Sequence, residues 1–182
     1  GASKLASDKL FVAGNSNEKT HSTIFSVVRY GNVVGSRGSV VPYFKKLLAD
    51  GADSLPITHN EMTRFWITLN QGVDFVLKSF ERMQGGEIFV PKIPSYRILD
   101  LAEAVAPDAK YEIVGIRPGE KLHEALLTIH DAHSTLELED RYIVEPDFAY
   151  WNRDSRTDFG AKRVAADFDY QSNTNSIIII NR

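Results

Sequence analysis

The stretch that decides the fold is residues 28–42, which read VRYGNVVGSRGSVVP. The apolar run Ile24–Val28 leads into it and predicts a buried strand, and Ser39 begins a predicted helix. Between the strand and the helix lies a polar amide, Asn32, which is followed by two glycines, Gly35 and Gly38, and by Arg37. Open α/β sheets build ligand sites at such junctions, beyond the carboxyl ends of their strands. We therefore expect a ligand site at this turn.

A second turn of the same kind follows a later apolar run. Residues 115–121 read GIRPGEK, so Arg117 stands beside a tight Pro-Gly turn. Another arginine, Arg64, lies inside the apolar tract 62–67, MTRFWI. A guanidinium can bind two oxygens in a fixed geometry, which suits a diphosphate. The two arginines predict an anionic, phosphorylated ligand, while the alternative for each is an ion pair with an internal carboxylate.

Strands and helices alternate along the chain, which predicts an α/β fold with a largely parallel sheet. Apolar periodicity and capping residues predict helices over residues 1–14, 41–50, 69–80, 95–105 and 120–128. Apolar runs predict strands over residues 23–29, 87–90, 111–116 and 141–144, with short apolar segments at 55–57 and 62–67. An irregular, Asp-rich tail completes the chain.

The composition excludes several classes of protein. The chain has 182 residues, a net charge of −3 and no cysteine. Non-specific nucleic-acid binding is not expected at that charge, and disulfides and cysteine metal sites are excluded. The five histidines lack metal-ligand spacing, so no metal is predicted. No apolar run approaches the ~20 residues of a membrane span and no signal peptide is visible, so we expect a cytoplasmic protein without a membrane partner.

Both ends of the sequence predict that the chain is part of a longer protein. Helical periodicity already runs at Gly1, which is not a methionine. At the other end, the run Ile177–Ile180 would be prone to aggregate unless it pairs into a sheet.

Five stretches together resemble the carboxyl-terminal half of the inverting UDP-N-acetylglucosamine 4,6-dehydratases, which are extended short-chain dehydrogenases/reductases. These stretches are GASKLASDKLF at 1–11, residues 29–42, MTRFWITL at 62–69, GGEIFVPKIPS at 85–95, and residues 115–124. The resemblance implies part of a Rossmann-type fold, a parallel-sheet remnant with a small substrate-binding α/β subdomain. Residues 1–182 would form a single partial domain. Residues 1–51 would end the dinucleotide-binding core, about 52–150 would be mainly substrate-binding, and 151–182 would form an irregular tail.

The resemblance implies which residues contact the NADP cofactor. Lys4 matches the lysine of the family's Tyr-x-x-x-Lys motif, which holds the nicotinamide ribose and lowers the tyrosine pKa as a catalytic residue. The motif tyrosine would stand immediately before Gly1. The backbone of Tyr30 and Gly31 would lie near the nicotinamide. Without the family motif, Lys4 would be interpreted as a surface residue paired with Asp8.

For the substrate, the resemblance implies a UDP-sugar held by five residues. Asn32 would donate to the diphosphate, Val41 would lie near the uracil, and Arg64 and Arg117 would bind the diphosphate. Glu120 would accept from the ribose hydroxyls. The alternatives are a turn-forming role for Asn32 and a helix first-turn role for Glu120.

The implied activity is conversion of UDP-N-acetylglucosamine to an inverted 4-keto-6-deoxy sugar, the first step of pseudaminic-acid-type biosynthesis. A homo-oligomer is expected for the full-length enzyme. The family's glycine-rich loop and its Asp/Lys elimination pair would lie upstream of this chain, so the chain alone is expected to be inactive. Two alternatives stay open: a retaining dehydratase or 4-epimerase on the same scaffold, and an inactive UDP-binding fragment.

Overall fold

The structure is a computed structural model that describes residues 2–16, 23–147 and 160–179. Its helices are α1 (Ala2–Gly14), α2 (Val40–Ala49), α3 (Leu69–Phe80) and α4 (Ile98–Val105), with a 3-10 turn at Ala132–Ser134. Its strands are β1 (Val27–Val28), β2 (Asn32–Val33), β3 (Ser54–Ile57), β4 (Thr63–Ile67), β5 (Ile88–Pro91), β6 (Ser95–Arg97), β7 (Lys110–Ile113), β8 (Ala125–Leu127), β9 (Thr135–Glu137), β10 (Arg141–Val144), β11 (Lys162–Arg163) and β12 (Tyr170–Gln171).

The chain groups into two compact units, each assembled from separate stretches of sequence. The first unit contains Gly1–Tyr30, Val73–Lys92 and Leu126–Asp169. The second contains Gly31–Gly72, Ile93–Ala125 and Tyr170–Arg182. The predicted division near residues 51 and 150 concerns function along the sequence and stays a prediction.

The first unit is built on a five-stranded sheet with the order β1-β5-β10-β9-β11. Strands β1 and β5 are parallel, whereas the other three pairs are antiparallel. The sheet is therefore mixed rather than largely parallel. The short connection of residues 138–140 between β9 and β10 explains part of this difference, because only antiparallel strands can be joined by so few residues. Phe75 of α3 packs on Phe89 and Ile143 to form the core.

Buried charges in the first unit are matched by partners on the chain. The Arg29 guanidinium donates to Asp8 at 2.9 Å and to the Leu126 carbonyl at 2.8 Å. The Glu87 carboxylate, which is fully buried, accepts from the Ser26 hydroxyl at 2.5 Å and from the backbone N–H of Gly85 at 2.8 Å. Such charge-assisted bonds to buried groups fix the loop that precedes β5.

The second unit holds two small sheets over a shared apolar cluster. In the three-stranded sheet β2-β4-β6, β2 runs parallel and β6 antiparallel to β4. Strands β3 and β7 form a parallel pair. The cluster takes Phe44 from α2, Leu55 and Ile57 from β3, and Ala102 from α4. The rings of Trp66 and Tyr96 lie nearly perpendicular with their centroids 4.8 Å apart, which adds a specific aromatic contact to this core.

The α/β class predicted from sequence is confirmed, and several elements lie where apolar spacing placed them. Helix α3 and strand β10 have the predicted bounds, and α2 is displaced by one residue. Two of the predicted helices were wrong. Ser95 does not cap a helix, because it lies in β6 and pairs with Phe65 of β4. The helix starts at Ile98 instead. The predicted helix 120–128 is absent, and residues 125–127 form β8 instead. In both cases pairing with distant strands overrides local helix propensity.

The isoleucine run pairs with the edge of β6, as far as the structure describes it. The Ser95 N–H donates to the Ile177 carbonyl at 2.9 Å, and the Ile179 N–H donates to the Ser95 carbonyl at 2.8 Å. Ile178 forms a parallel bridge with Ser95, and Ile180 lies outside the described residues. Over residues 2–16, 23–147 and 160–179, no helix has the length and apolar composition to cross a membrane.

We expect Glu87→Gln to destabilise the chain by about 2–3 kcal/mol, because an amide nitrogen would face backbone N–H donors in a fully buried site. Urea unfolding monitored by circular dichroism measures the change. Glu112→Gln is the matched control, since Glu112 is exposed on β7. Equal effects of the two substitutions would contradict this role for Glu87.

A pH dependence should arise from Asp140. The hydrogen bond from Arg141 lowers the pKa of the Asp140 carboxyl, so its ionised form stabilises the folded state above the ordinary aspartate range. This stabilisation is lost as the pH falls through the lowered pKa. Urea unfolding of the wild type and Asp140→Asn between pH 7 and pH 3 should therefore show a stability difference that narrows toward acid pH. A difference that is constant across this range would contradict the coupling to Arg141.

Candidate functional site

The second unit contains an irregular segment, residues 114–124, that runs from β7 to β8 and carries Arg117 and Glu120. The start of β4 anchors it. The Arg64 guanidinium donates to the carbonyls of Lys121 at 2.9 Å and Leu122 at 3.1 Å. The Thr63 N–H also donates to the Leu122 carbonyl, at 3.2 Å. Three hydrogen bonds thus connect the segment to β4, although the segment has no regular secondary structure.

Arg64 is almost buried, and carboxylates flank it. Its side chain is 10% exposed, and oxygens of Glu120 and Glu124 each lie 3.7 Å from its nitrogens. These distances exceed a direct hydrogen bond and indicate electrostatic contact. The internal-carboxylate alternative for Arg64 is therefore the arrangement that the structure shows.

Arg117, by contrast, is exposed. Its backbone N–H donates to Glu120 Oε2 at 3.2 Å, and the Glu120 N–H donates to the Arg117 carbonyl at 3.0 Å. Within the part of the chain that the structure describes, no carboxylate pairs with the Arg117 guanidinium. This side chain can therefore bind an anion from solution without breaking an ion pair.

Residues 31–42, which form the turn into α2 and its first residues, lie in the same unit. Asn32 pairs with Trp66 in parallel register and has an exposed side chain. Gly35 and Gly38 adopt positive φ angles of 69° and 77°, which side chains rarely adopt, and so allow the tight turn into α2. Val41 is half-buried in the first turn of that helix.

Gly31 is required by a close approach rather than by its φ angle. A Cβ atom at this position would overlap the Phe65 side chain and lie 3.1 Å from its carbonyl carbon and oxygen. The absence of a side chain therefore lets the backbone before β2 lie against β4.

The predicted site residues divide between the two units. Arg64 and Glu120 come together, and Gly31, Asn32, Val41 and Arg117 belong to the same unit as this pair. Lys4 and Tyr30 belong to the first unit, where Lys4 is exposed on α1 and Tyr30 is 39% exposed. The alternative pairing of Lys4 with Asp8 is replaced by the bond of Asp8 to Arg29. The binding roles themselves stay predictions.

Sequence reasoning missed a polar network beside this segment. The Thr63 hydroxyl shares hydrogen bonds with His123 Nδ1 at 2.8 Å and with the Ser172 hydroxyl at 2.7 Å. Ser172 Oγ also accepts from the Glu124 N–H at 2.9 Å. His123 lies in the stretch 115–124, which resembles the dehydratase family. This resemblance was the one feature of the sequence that could have pointed to His123. Ser172 offered none, because it lies far from Thr63 in sequence.

Two features define the local chemistry further. Burial raises the pKa of Tyr96 to about 12 although the positive charge of Arg64 opposes this, so the phenol stays protonated at neutral pH. Among the described residues, no group of three or more His, Asp and Glu side chains could hold a metal ion. The second unit thus presents an exposed guanidinium on Arg117, a carboxylate on Glu120 and an exposed amide on Asn32, which are groups that form hydrogen bonds with phosphates and hydroxyls.

Comparisons with known proteins identify similar chains. The inverting UDP-N-acetylglucosamine 4,6-dehydratase of Campylobacter jejuni serotype O:2 is 53% identical over 97% of this chain and 54% of that protein. The UDP-glucose 4-epimerase of Rickettsia massiliae is 39% identical over 94% of the chain and 51% of that protein. The X-ray structure of Pen from Bacillus thuringiensis superposes with a TM-score of 0.83 at 31% identity, covering 98% of this chain and 53% of that one.

The chain spans about half the length of the curated relatives that it matches. The predicted fold, part of a Rossmann-type extended short-chain dehydrogenase/reductase, is confirmed. The resemblance to the inverting 4,6-dehydratases is confirmed as well. A family model described as "Polysaccharide biosynthesis protein" matches residues 1–146, and the chain belongs to the polysaccharide biosynthesis protein family.

Proposed function

We propose that the chain is the mainly substrate-binding part of a nucleotide-sugar dehydratase that acts on UDP-N-acetylglucosamine. Two relatives named inverting UDP-N-acetylglucosamine 4,6-dehydratase, at 53% and 54% identity, support this proposal. The product would be a 4-keto-6-deoxy sugar inverted at C5, and the pathway would be of the pseudaminic-acid type. The complete enzyme would be cytoplasmic and homo-oligomeric.

The observation that carries the proposal is the exposed Arg117 guanidinium on a turn whose geometry Glu120 fixes. Arg117 would bind the UDP diphosphate in a two-pronged contact. The exposed amide of Asn32 would donate to a phosphate oxygen, and Val41 would pack near the uracil. Glu120 accepts one backbone N–H, which leaves carboxylate lone pairs for the ribose hydroxyls. Arg64 stays a predicted ligand, although its contacts lie within the protein.

NADP is the proposed cofactor, and it would supply the hydride chemistry when bound. Lys4 fits a role in holding it. The side chain is exposed on α1, and Asp8, its nearest acidic residue in sequence, pairs with Arg29 instead. The Lys4 ammonium is therefore available to donate to ribose hydroxyls, and its charge would favour the ionised form of a nearby phenol. The backbone of Tyr30 and Gly31 is proposed to lie near the nicotinamide.

A second candidate is a 4-epimerase on the same scaffold. Relatives named UDP-glucose 4-epimerase, from Rickettsia massiliae and Rickettsia conorii, are each 39% identical over 94% of this chain. Epimerases and dehydratases would share the UDP site and the hydride step. They would differ in whether water is eliminated from the sugar, so the product distinguishes them.

Joining this chain to the remaining portion of the Campylobacter jejuni relative should give an enzyme that converts UDP-N-acetylglucosamine to the 4-keto-6-deoxy product. NMR analysis identifies the product formed in deuterated solvent and shows whether its C5 carries deuterium. Lys4→Met should lower the turnover at least tenfold, because it removes the ammonium proposed to hold the ribose. Lys9→Met is the matched control, an exposed lysine on the same helix. A 4-epimer that retains its oxygen at C6 would favour the epimerase instead.

In the chain itself, Arg117→Ala should weaken UDP binding roughly 10- to 100-fold, because it removes charge-assisted bonds worth about 1.5–3 kcal/mol. Affinity for uridine should stay unchanged, since uridine has no phosphate. Arg117→Lys should restore binding in part, because an ammonium lacks the two-pronged geometry. Isothermal titration calorimetry measures the affinities for UDP and for uridine. Arg97→Ala is the control, because Arg97 is also an exposed arginine. Equal losses for UDP and uridine would contradict a diphosphate contact.

A further inference from the structure

One face of α1 lies along β1, and the contacts between the two elements run in opposite directions along the sequence. Just after the helix, the Asn15 side chain donates to the Phe25 carbonyl and accepts from the Phe25 N–H, each at 2.9 Å. One turn earlier, the centroid of the Phe11 ring lies 6.1 Å from that of Phe25. Earlier still, Asp8 accepts from Arg29, which follows β1. The helix and the strand are therefore antiparallel.

The spacing of these contacts places Lys4 on the same face of α1. Lys4 precedes Asp8 by four residues, and the two other contact positions follow at intervals of three and four. Residues at this spacing are neighbours on one side of a helix. Four helical residues rise about 6 Å, which corresponds to about two residues of a strand. Lys4 therefore lies beyond Asp8 toward the carboxyl end of β1, where Tyr30 follows Arg29.

Of the three contacts, that of Arg29 is nearest to Lys4 along the helix, and its guanidinium is held at several points. Nη2 and Nε both donate to Asp8 Oδ2, at 2.9 Å and 3.2 Å. Nη1 donates to the Leu126 carbonyl at 2.8 Å and lies 3.7 Å from Asp131 Oδ2. The side chains of Arg29 and Asp8 are only 21% and 19% exposed. Charge-assisted bonds that are shielded from solvent in this way hold better than exposed ion pairs.

The same contact keeps Asp8 away from Lys4. A lysine and a carboxylate four residues apart on a helix can form an ion pair. Here Asp8 Oδ2 accepts two N–H bonds from Arg29 instead. Without Arg29, the Asp8 carboxylate would lose its cation, and the Lys4 ammonium one turn away could replace it. Arg29 thus acts on Lys4 in two ways, because it fixes the helix and it occupies the competing carboxylate.

We propose that Arg29 is a positioning residue for Lys4. Through Asp8 it fixes the first half of α1 along β1, so that Lys4 lies at the carboxyl end of the strand. The Lys4 ammonium is then free to donate to the ribose hydroxyls of a nicotinamide nucleotide. This role rests on the NADP function proposed for Lys4, and it adds Arg29 and Asp8 to the residues on which cofactor binding depends.

A double-mutant cycle with NADPH as the probe tests this role in the complete enzyme, in which this chain is joined to the remaining portion of the Campylobacter jejuni relative. Fluorescence titration measures NADPH affinity without turnover. Arg29→Met should lower the affinity about tenfold. In the Lys4→Met background, Arg29→Met should cause no further loss, because its effect passes through Lys4. Additive losses would mean that Arg29 acts on the cofactor by another route, and would overturn the proposal.

Two further variants sharpen this cycle. Arg163→Met is the matched control, because Arg163 lies in the same unit and donates to the Glu145 carboxylate at 2.8 Å. It should leave NADPH affinity unchanged, and a loss equal to that of Arg29→Met would contradict a specific role for Arg29. Arg29→Lys should cause a smaller loss, because an ammonium can still pair with Asp8. If Arg29→Met does not fold, the cycle is run with Arg29→Lys, whose loss should also vanish in the Lys4→Met background.

Amide hydrogen exchange in the 182-residue chain gives a readout that needs no cofactor. Arg29→Met should speed exchange at residues 6–10 of α1 while leaving β10 unchanged, and Arg163→Met should leave α1 unchanged. Unchanged exchange at residues 6–10, or equally faster exchange in β10, would overturn the positioning role. A full NADPH affinity in Lys4→Met would instead overturn the cofactor role proposed for Lys4, and the purpose assigned to Arg29 with it, even where exchange shows that Arg29 fixes α1.

Discussion

The second unit depends on a buried guanidinium that takes the place of regular secondary structure. Between β7 and β8 the chain forms no helix or strand, yet its carbonyls lie close to protein and need donors. From a single planar group, Arg64 donates to two of these carbonyls, those of Lys121 and Leu122, and also to the carbonyl of Thr63 in its own strand. A lysine could not do this, because its three N–H bonds diverge from one nitrogen. The position of the turn at residues 117–120 therefore depends on the shape of the Arg64 side chain as much as on its charge.

The two units handle buried charge in different ways. In the first unit, Arg141 is fully buried, pairs with Asp140 and lies 4.9 Å from the Phe75 ring. In the second unit, Arg64 contacts mostly carbonyls, and its carboxylates lie farther away. Close pairing with an adjacent residue secures the sheet locally, whereas carbonyl contacts connect segments that are distant in sequence. The second arrangement suits a unit in which residues 114–124 form no helix or strand.

Local patterns in the sequence predicted the elements that depend on local forces. Helix α3 follows from apolar spacing, and β10 from a short apolar run. The same reasoning failed at Ser95 and at residues 120–128, where strand pairing decides the conformation. For the site, the sequence predicted the turn at Pro118-Gly119 beside Arg117, but it placed Glu120 at the start of a helix that the structure does not contain. Thr63 and Ser172 lie 109 residues apart, so no local pattern could show that their hydroxyls meet.

The close approach of Gly31 to Phe65 also has a consequence for genetics. Any side chain at this position would press on the backbone of β4, the strand from which Arg64 extends. Every single-nucleotide change in a glycine codon that encodes a different amino acid introduces a Cβ atom. No single-nucleotide change that replaces Gly31 is therefore expected to be neutral. Neutral substitutions in this codon should be confined to its third base, where they leave glycine encoded.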